Sequence, residues 1–272
     1  MRRLLALLII LNVSRVFGAE IQKYSFPLPP ETERADVYAI KAVKTPRAVL
    51  VLCPGRNGNG EGWIREPAWQ DFAKENHLGL VGISFASPDA LLNQWHGYTI
   101  VSKGAGQTLL DAVRKIYGHD LPILFYGFSA GAVFTNEFVE WKPERVIAWC
   151  ACAGEDEAQS RHENSPPGII SCGEYDGTHY GADLMYFKQG RALGKPWIWI
   201  SAGKKTHSRS PEVEGFVRQY FSAILNYKKA GCWVDIDSKA EISIAEAAQV
   251  PSVSGLLPNR ELLDKWRNVH VP

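Results

Sequence analysis

The sequence predicts an α/β protein built on a mostly parallel eight-stranded sheet with helices on both faces, and three observations carry that reading. Continuous apolar runs of strand length recur along the chain, helix-length segments separate most of them, and two alternating segments precede the first run. A chain of 272 residues with 46% hydrophobic content can bury a sizeable core, and open sheets of this kind commonly form one domain at this length.

Met1-Arg2-Arg3 precedes an apolar run from Leu4 to Leu11, and Val16-Phe17-Gly18-Ala19 then offers small residues for cleavage. Residues 1–19 therefore read as a secretory signal peptide, with a secreted or periplasmic mature chain as the expectation. An uncleaved anchor is the alternative, but Asn12, Ser14 and Arg15 interrupt the run well short of the about 20 apolar residues that span a bilayer. The leader carries three arginines and no acid, so its removal takes the formal charge from +1 to −2. Such a balance points neither to nucleic acid nor to an anionic membrane as partner, and no membrane insertion is expected once the signal is cleaved.

Ile21 to Leu28 and Asp36 to Val43 alternate apolar and polar residues across the turn-rich Pro29-Pro30-Glu31, which predicts an antiparallel edge pair. Ala48 to Cys53 is instead apolar throughout, as in a strand covered on both faces. Similar runs follow at Leu80 to Phe85, Ile123 to Tyr126, Val146 to Cys152, Ile169 to Cys172 and Trp197 to Ile200. Helices are signalled by Pro67 ahead of Trp69 and Phe72, by Gly104 to Ile116, by Ala130 to Glu140, and by Pro211 to Leu225, where Phe216, Tyr220 and Ile224 recur every fourth residue. Residues 20–229 are thus the expected main domain. Past Lys229 periodicity weakens, and residues 230–272 read as a tail docked through Leu256, Leu257, Leu262, Leu263 and Trp266.

The strand Ile123 to Tyr126 runs into Gly127-Phe128-Ser129-Ala130-Gly131, which opens a helix. A serine on so sharp a turn needs neighbours without bulky side chains, and the helix N-terminus favours negative charge developing there. An N-cap role is the bland alternative for Ser129. Further on, the run Ile169 to Cys172 enters the turn Gly173-Glu174-Tyr175-Asp176-Gly177, and Trp197 to Ile200 leads to a loop carrying His207. Ser129, Asp176 and His207 follow the order nucleophile, acid, base, each past the carboxyl end of a strand. Glu174 is the rival acid. His179 reads as a surface loop histidine unless the loop after Asp176 folds back, and His77, His119, His162 and His270 receive the same surface reading.

An oxyanion formed at Ser129 needs two donors: the backbone N–H of Ala130, and one from the loop Pro54 to Gly60, for which Arg56 N–H is the candidate. That loop has no phosphate-binding pattern. Gln94, Trp95 and Tyr98 should reach the same rim, with Trp63 and Tyr180 as further substrate-binding candidates. No HExxH, CxxC or His/Asp cluster is visible in the sequence, so neither a metal nor a cofactor is expected. The five cysteines are an odd number; most are expected as buried apolar residues, with a disulfide among Cys150, Cys152 and Cys172 as the alternative.

With Gly127 to Gly131 as elbow, Gly173 to Asp176 as acid turn and Thr206-His207-Ser208 as histidine loop, residues 46–227 resemble the α/β-hydrolase superfamily. The likeness is to its secreted esterase branch, which includes polyhydroxybutyrate depolymerase-like and feruloyl or acetyl xylan esterase-like enzymes. It implies a serine hydrolase acting on carbohydrate-linked or polymeric carboxylic esters. Cys53-Pro54-Gly55 departs from the His-Gly pair of many relatives. Only residues 155–167 stand where lipase-like relatives insert a helical lid, so no lid domain is expected. A prolyl-oligopeptidase-like peptidase and a noncatalytic sugar-binding protein of the same fold remain as alternatives.

Overall fold

The computed structural model describes residues 20–41, 43–94, 96–154, 164–226 and 231–272. The predicted leader and Trp95 lie outside the described residues, as do residues 155–163, which include His162 and most of the segment that stands in the place of a lid.

Strands β1 (Ile21–Ser25) and β2 (Arg34–Ile40) form the expected antiparallel pair at one edge. Six further strands follow: β3 (Ala48–Cys53), β4 (Leu78–Ala86), β5 (Ile123–Phe128), β6 (Val146–Cys152), β7 (Gly168–Gly173) and β8 (Trp197–Ala202). Their order across the sheet is β1-β2-β4-β3-β5-β6-β7-β8, and every pairing from β4 to β8 is parallel. The continuous apolar runs have their physical reason here, because all residues of β3, β4 and β7 are buried.

Helices α1 (Gly60–Ile64), α2 (Pro67–Glu75), α3 (Asp89–Leu92), α4 (Ala105–Tyr117), α5 (Ala130–Trp141), α6 (Gly177–Ala192) and α7 (Pro211–Asn226) connect the strands. Helix α5 interleaves Phe134 and Phe138 with Phe125 of β5, at ring separations of 6.5 and 4.8 Å. Helix α6 was not foreseen. Its inward side mixes buried Asp183 and Arg191 with buried Tyr186 and Phe187, so no continuous apolar stripe marks it in the sequence.

The region read as a tail is more ordered than its periodicity suggests. Strands β9 (Cys232–Asp235), β10 (Glu241–Ile242) and β11 (Ser254–Leu257) form a second antiparallel sheet, with α8 (Ile244–Gln249) and α9 (Leu263–Val269) beside it. Trp266 Nε1–H donates to the Trp199 carbonyl at 2.9 Å, and Val271 N–H to the Ser201 carbonyl at 2.9 Å, which fastens the segment to β8. His270 corrects its surface reading: it is buried, with Nδ1 accepting from Ser201 N–H at 3.0 Å and Nε2–H donating to the Ile236 carbonyl at 2.7 Å. All five cysteines are buried and free.

Candidate active site

The carboxyl ends of β3, β5, β7 and β8 bring the candidate residues together. Between β5 and α5 the chain reverses in a single residue, and Ser129 takes φ 54° and ψ −128°, a region that side chains disfavour. Close approach makes the turn possible. A Cβ on Gly127 would overlap the Gly131 carbonyl, and one on Gly131 would overlap the carbonyls of Cys53 and Pro54.

Ser129 Oγ lies 2.9 Å from His207 Nε2, and His207 Nδ1 lies 3.0 Å from Asp176 Oδ2. A carboxylate only accepts, so Nδ1 carries the proton and Nε2 presents its lone pair to the Ser129 hydroxyl. Asp176 is buried at the head of α6, whereas the His207 side chain is 36% exposed. Solvent therefore reaches the imidazole but not the carboxylate behind it.

Two contact sets hold the histidine loop. Toward the acid turn, Lys204 N–H donates to Glu174 Oε2 at 2.9 Å and Tyr175 N–H to the Lys205 carbonyl at 2.8 Å. Glu174, the rival acid, thus braces the loop from an exposed position. Toward α2, Arg209 bonds Glu66 through two nitrogens at 2.6 and 2.7 Å and Glu214 through Nε at 2.6 Å. Trp63 stacks on that guanidinium at 4.1 Å, so it belongs to the anchor of the loop rather than to a substrate rim.

Gly55 packs against Ser129, and Arg56 and Ala130 line one cleft with Ser129, Leu92, Thr99, Ala153, Gly154 and His179. Its volume is about 70 Å³. The loop preceding α1 is fixed by residues the sequence did not single out. Arg34 donates to the carbonyls of Asn57 and Gly58 at 2.6 and 2.8 Å, and the Asn57 side chain exchanges two 3.0 Å bonds with the backbone of Ser87.

Tyr98 lies beneath this loop, not on the rim. Its hydroxyl accepts from Asn57 N–H at 3.3 Å, and burial pushes its pKa up to about 12. Gln94 is exposed and bonds back to the Ala90 carbonyl. Tyr180 packs edge-on against Trp199 and donates to Ser201 Oγ at 3.2 Å.

His179 corrects its loop reading. It sits in the first turn of α6, its Nδ1 lies 3.3 Å from Asp176 Oδ1, and its ring lies 4.5 Å from that of His207. Asp176 thus faces one imidazole with each oxygen. Although the sequence shows no His/Asp cluster, the fold assembles one whose three ligand atoms lie within 4.8 Å of one another.

Among solved structures, carboxyl esterase 2 from the fungus Tuber melanosporum superposes with a TM-score of 0.57 at 13% identity, covering 79% of this chain and 88% of the esterase. The fluorophosphonate-binding serine hydrolase F of Staphylococcus aureus gives 0.54 at 14%, covering 76% and 99%. Poly(aspartic acid) hydrolase-1 from Sphingomonas sp. KT-1 gives 0.51 at 18%, covering 69% and 93%. The chain has the α/β-hydrolase fold. Neither a family model nor a curated protein matches the sequence. In α/β-hydrolase folds a sharp strand-to-helix turn of this kind is where a nucleophile can stand, and the cleft beside Ser129 opens at the carboxyl edge of the sheet, where such folds bind ligands.

Proposed function

We propose that this chain is a serine hydrolase that cleaves carboxylic esters through Ser129, His207 and Asp176. The observation that carries the reading is the unbroken chain of 2.9 and 3.0 Å contacts from Ser129 Oγ through His207 to Asp176, with the serine on a strained turn. A serine held merely as a helix cap has no reason to meet an imidazole at bonding distance, and no side-chain capping bond is made by Ser129.

In the reaction Ser129 Oγ attacks the ester carbonyl carbon while its proton passes to His207 Nε2. Asp176 holds the Nδ1–H tautomer and stabilises the imidazolium. The tetrahedral oxyanion is met by the N–H groups of Ala130 and Arg56. As the bond to the leaving alcohol breaks, His207 returns the proton to that oxygen, and water then attacks the acyl-enzyme by the same route.

The narrow cleft, walled by Leu92, Thr99, Ala153 and Gly154, suits a short acyl group. The alcohol side is proposed as a carbohydrate or polymer, in keeping with the leader-like N-terminus, which also supports a secreted or periplasmic location. Labelling of the mature protein with a fluorophosphonate probe tests the reading, with Ser129→Ala as control and acetyl-sugars, feruloyl-sugars and hydroxybutyrate oligomers as the ester panel. Labelling that vanishes in the variant supports a serine hydrolase; a labelled variant, or an unlabelled wild type, overturns it.

A further inference from the structure

We propose that Asp176, His179 and His207 form a binding site for a divalent cation of the zinc type, and that filling it silences the serine chemistry. The binding half stands on geometry alone, whereas the silencing half rests on the function proposed above.

A nucleophilic triad offers a metal two ligands. Here α6 supplies a third, because Asp176 and His179 are three residues apart at its first turn and face the same way. Zinc held tetrahedrally at about 2.0–2.2 Å sets neighbouring ligand atoms about 3.3–3.6 Å apart. Asp176 offers one oxygen to each imidazole, Oδ1 at 3.3 Å from His179 Nδ1 and Oδ2 at 3.0 Å from His207 Nδ1. One ligand atom from each of the three residues lies within 4.8 Å of the other two, and a bound ion draws that triangle in. Closing it takes ring rotations of side chains that are 28% and 36% exposed, which also leaves the ion a route in.

Two imidazoles and one carboxylate match the ligand preferences of zinc, and three protein ligands leave a fourth position for water. Magnesium, which demands oxygen ligands in octahedral geometry, finds no such set here.

The silencing follows from proton bookkeeping. Neutral His207 has one lone pair and one N–H. A cation that takes the lone pair at either nitrogen leaves the other protonated, so no acceptor remains for the Ser129 proton. If zinc binds at Nδ1, the proton now there moves to Nε2, with no net release.

Isothermal titration of the mature protein with zinc chloride at neutral pH is the test, with magnesium chloride as comparison. We expect one zinc per chain with micromolar affinity, at least tenfold weaker binding in His179→Gln, and no heat from magnesium. Fluorophosphonate labelling of the wild type should fall with the same zinc midpoint and return on adding a chelator. Imidazole NMR signals of the wild type give a readout that needs no variant: of the seven histidines, those of His179 and His207 should shift together. Zinc binding unchanged in His179→Gln, equal binding of magnesium, or undiminished labelling at saturating zinc would overturn the proposal. Zinc bound through His179 in a protein that takes no probe would keep the site and remove the serine hydrolase reading.

Discussion

Gly131 and Cys53 approach so closely that the first helical turn after the elbow at Ser129 rests directly on the carbonyl ending β3. Because the obstructing atoms are backbone, neither side can swing away from an added methyl group. Gly131→Ala should therefore displace the elbow and destabilise the fold by about 3 kcal/mol. For a chain of this size that corresponds to a melting temperature roughly 6–12 °C lower. Gly62→Ala in α1, where an added Cβ meets nothing within 4 Å, is the matched control and should melt no lower than wild type. Equal melting of the two variants would show that the elbow is slack.

Ser129 carries positive φ without being glycine. Such strain costs on the order of 1–3 kcal/mol, and glycine relieves it while surrendering about 0.5–1 kcal/mol to unfolded-state entropy. Ser129→Gly should accordingly melt a few degrees above wild type, while Ser129→Ala, which keeps the Cβ, should not. Both should lose about 10⁴- to 10⁶-fold in ester turnover. Calorimetry on the pair separates strain from chemistry: equal melting temperatures would mean that the turn stores none.

Arg209 is expected to act through His207. Its guanidinium bridges Glu66 at the entry to α2 and Glu214 in α7, two residues beyond the imidazole. Lysine has one nitrogen for two carboxylates and cannot reproduce the fork. Since displacements near 1 Å can cost about 100-fold in rate, Arg209→Lys should lower kcat by roughly 10- to 100-fold with KM little changed. A matching rise in KM with kcat intact would instead place Arg209 in substrate binding.

Much of this was legible in the sequence because β3, β5, β7 and β8 are covered on both faces and read as unbroken apolar runs, with Ser129, Asp176 and His207 each following one. Helix α6 escaped because its buried side mixes polar Asp183 and Arg191 with Tyr186 and Phe187. With it went His179, since Gly177 looked like the middle of a loop and is in fact the first residue of the helix. Tyr98 looked like a rim aromatic because spacing fixes the loop it belongs to but not which way the ring turns. The small sheet of β9, β10 and β11 has strands of only two to four residues, too short to show a period.

His270 sets an acid limit on stability. Burial, together with the charge of Lys239, lowers its pKa to about 4, although its bond to the Ile236 carbonyl pulls the other way. Protonation would also place a hydrogen on Nδ1, where the Ser201 N–H now donates. The unfolded imidazole binds its proton near pH 6.5 and the folded one only near 4, so between those values the unfolded state holds the extra proton. Stability is therefore complete above about pH 6.5, falls as the pH drops toward 4, and loses nothing more from this group below that. The span corresponds to at most about 3 kcal/mol. Urea unfolding of wild type and His270→Asn from pH 7.5 to 4 reads the effect as a difference: the gap between them should narrow with acid across this window. Parallel curves would assign the acid sensitivity to other groups.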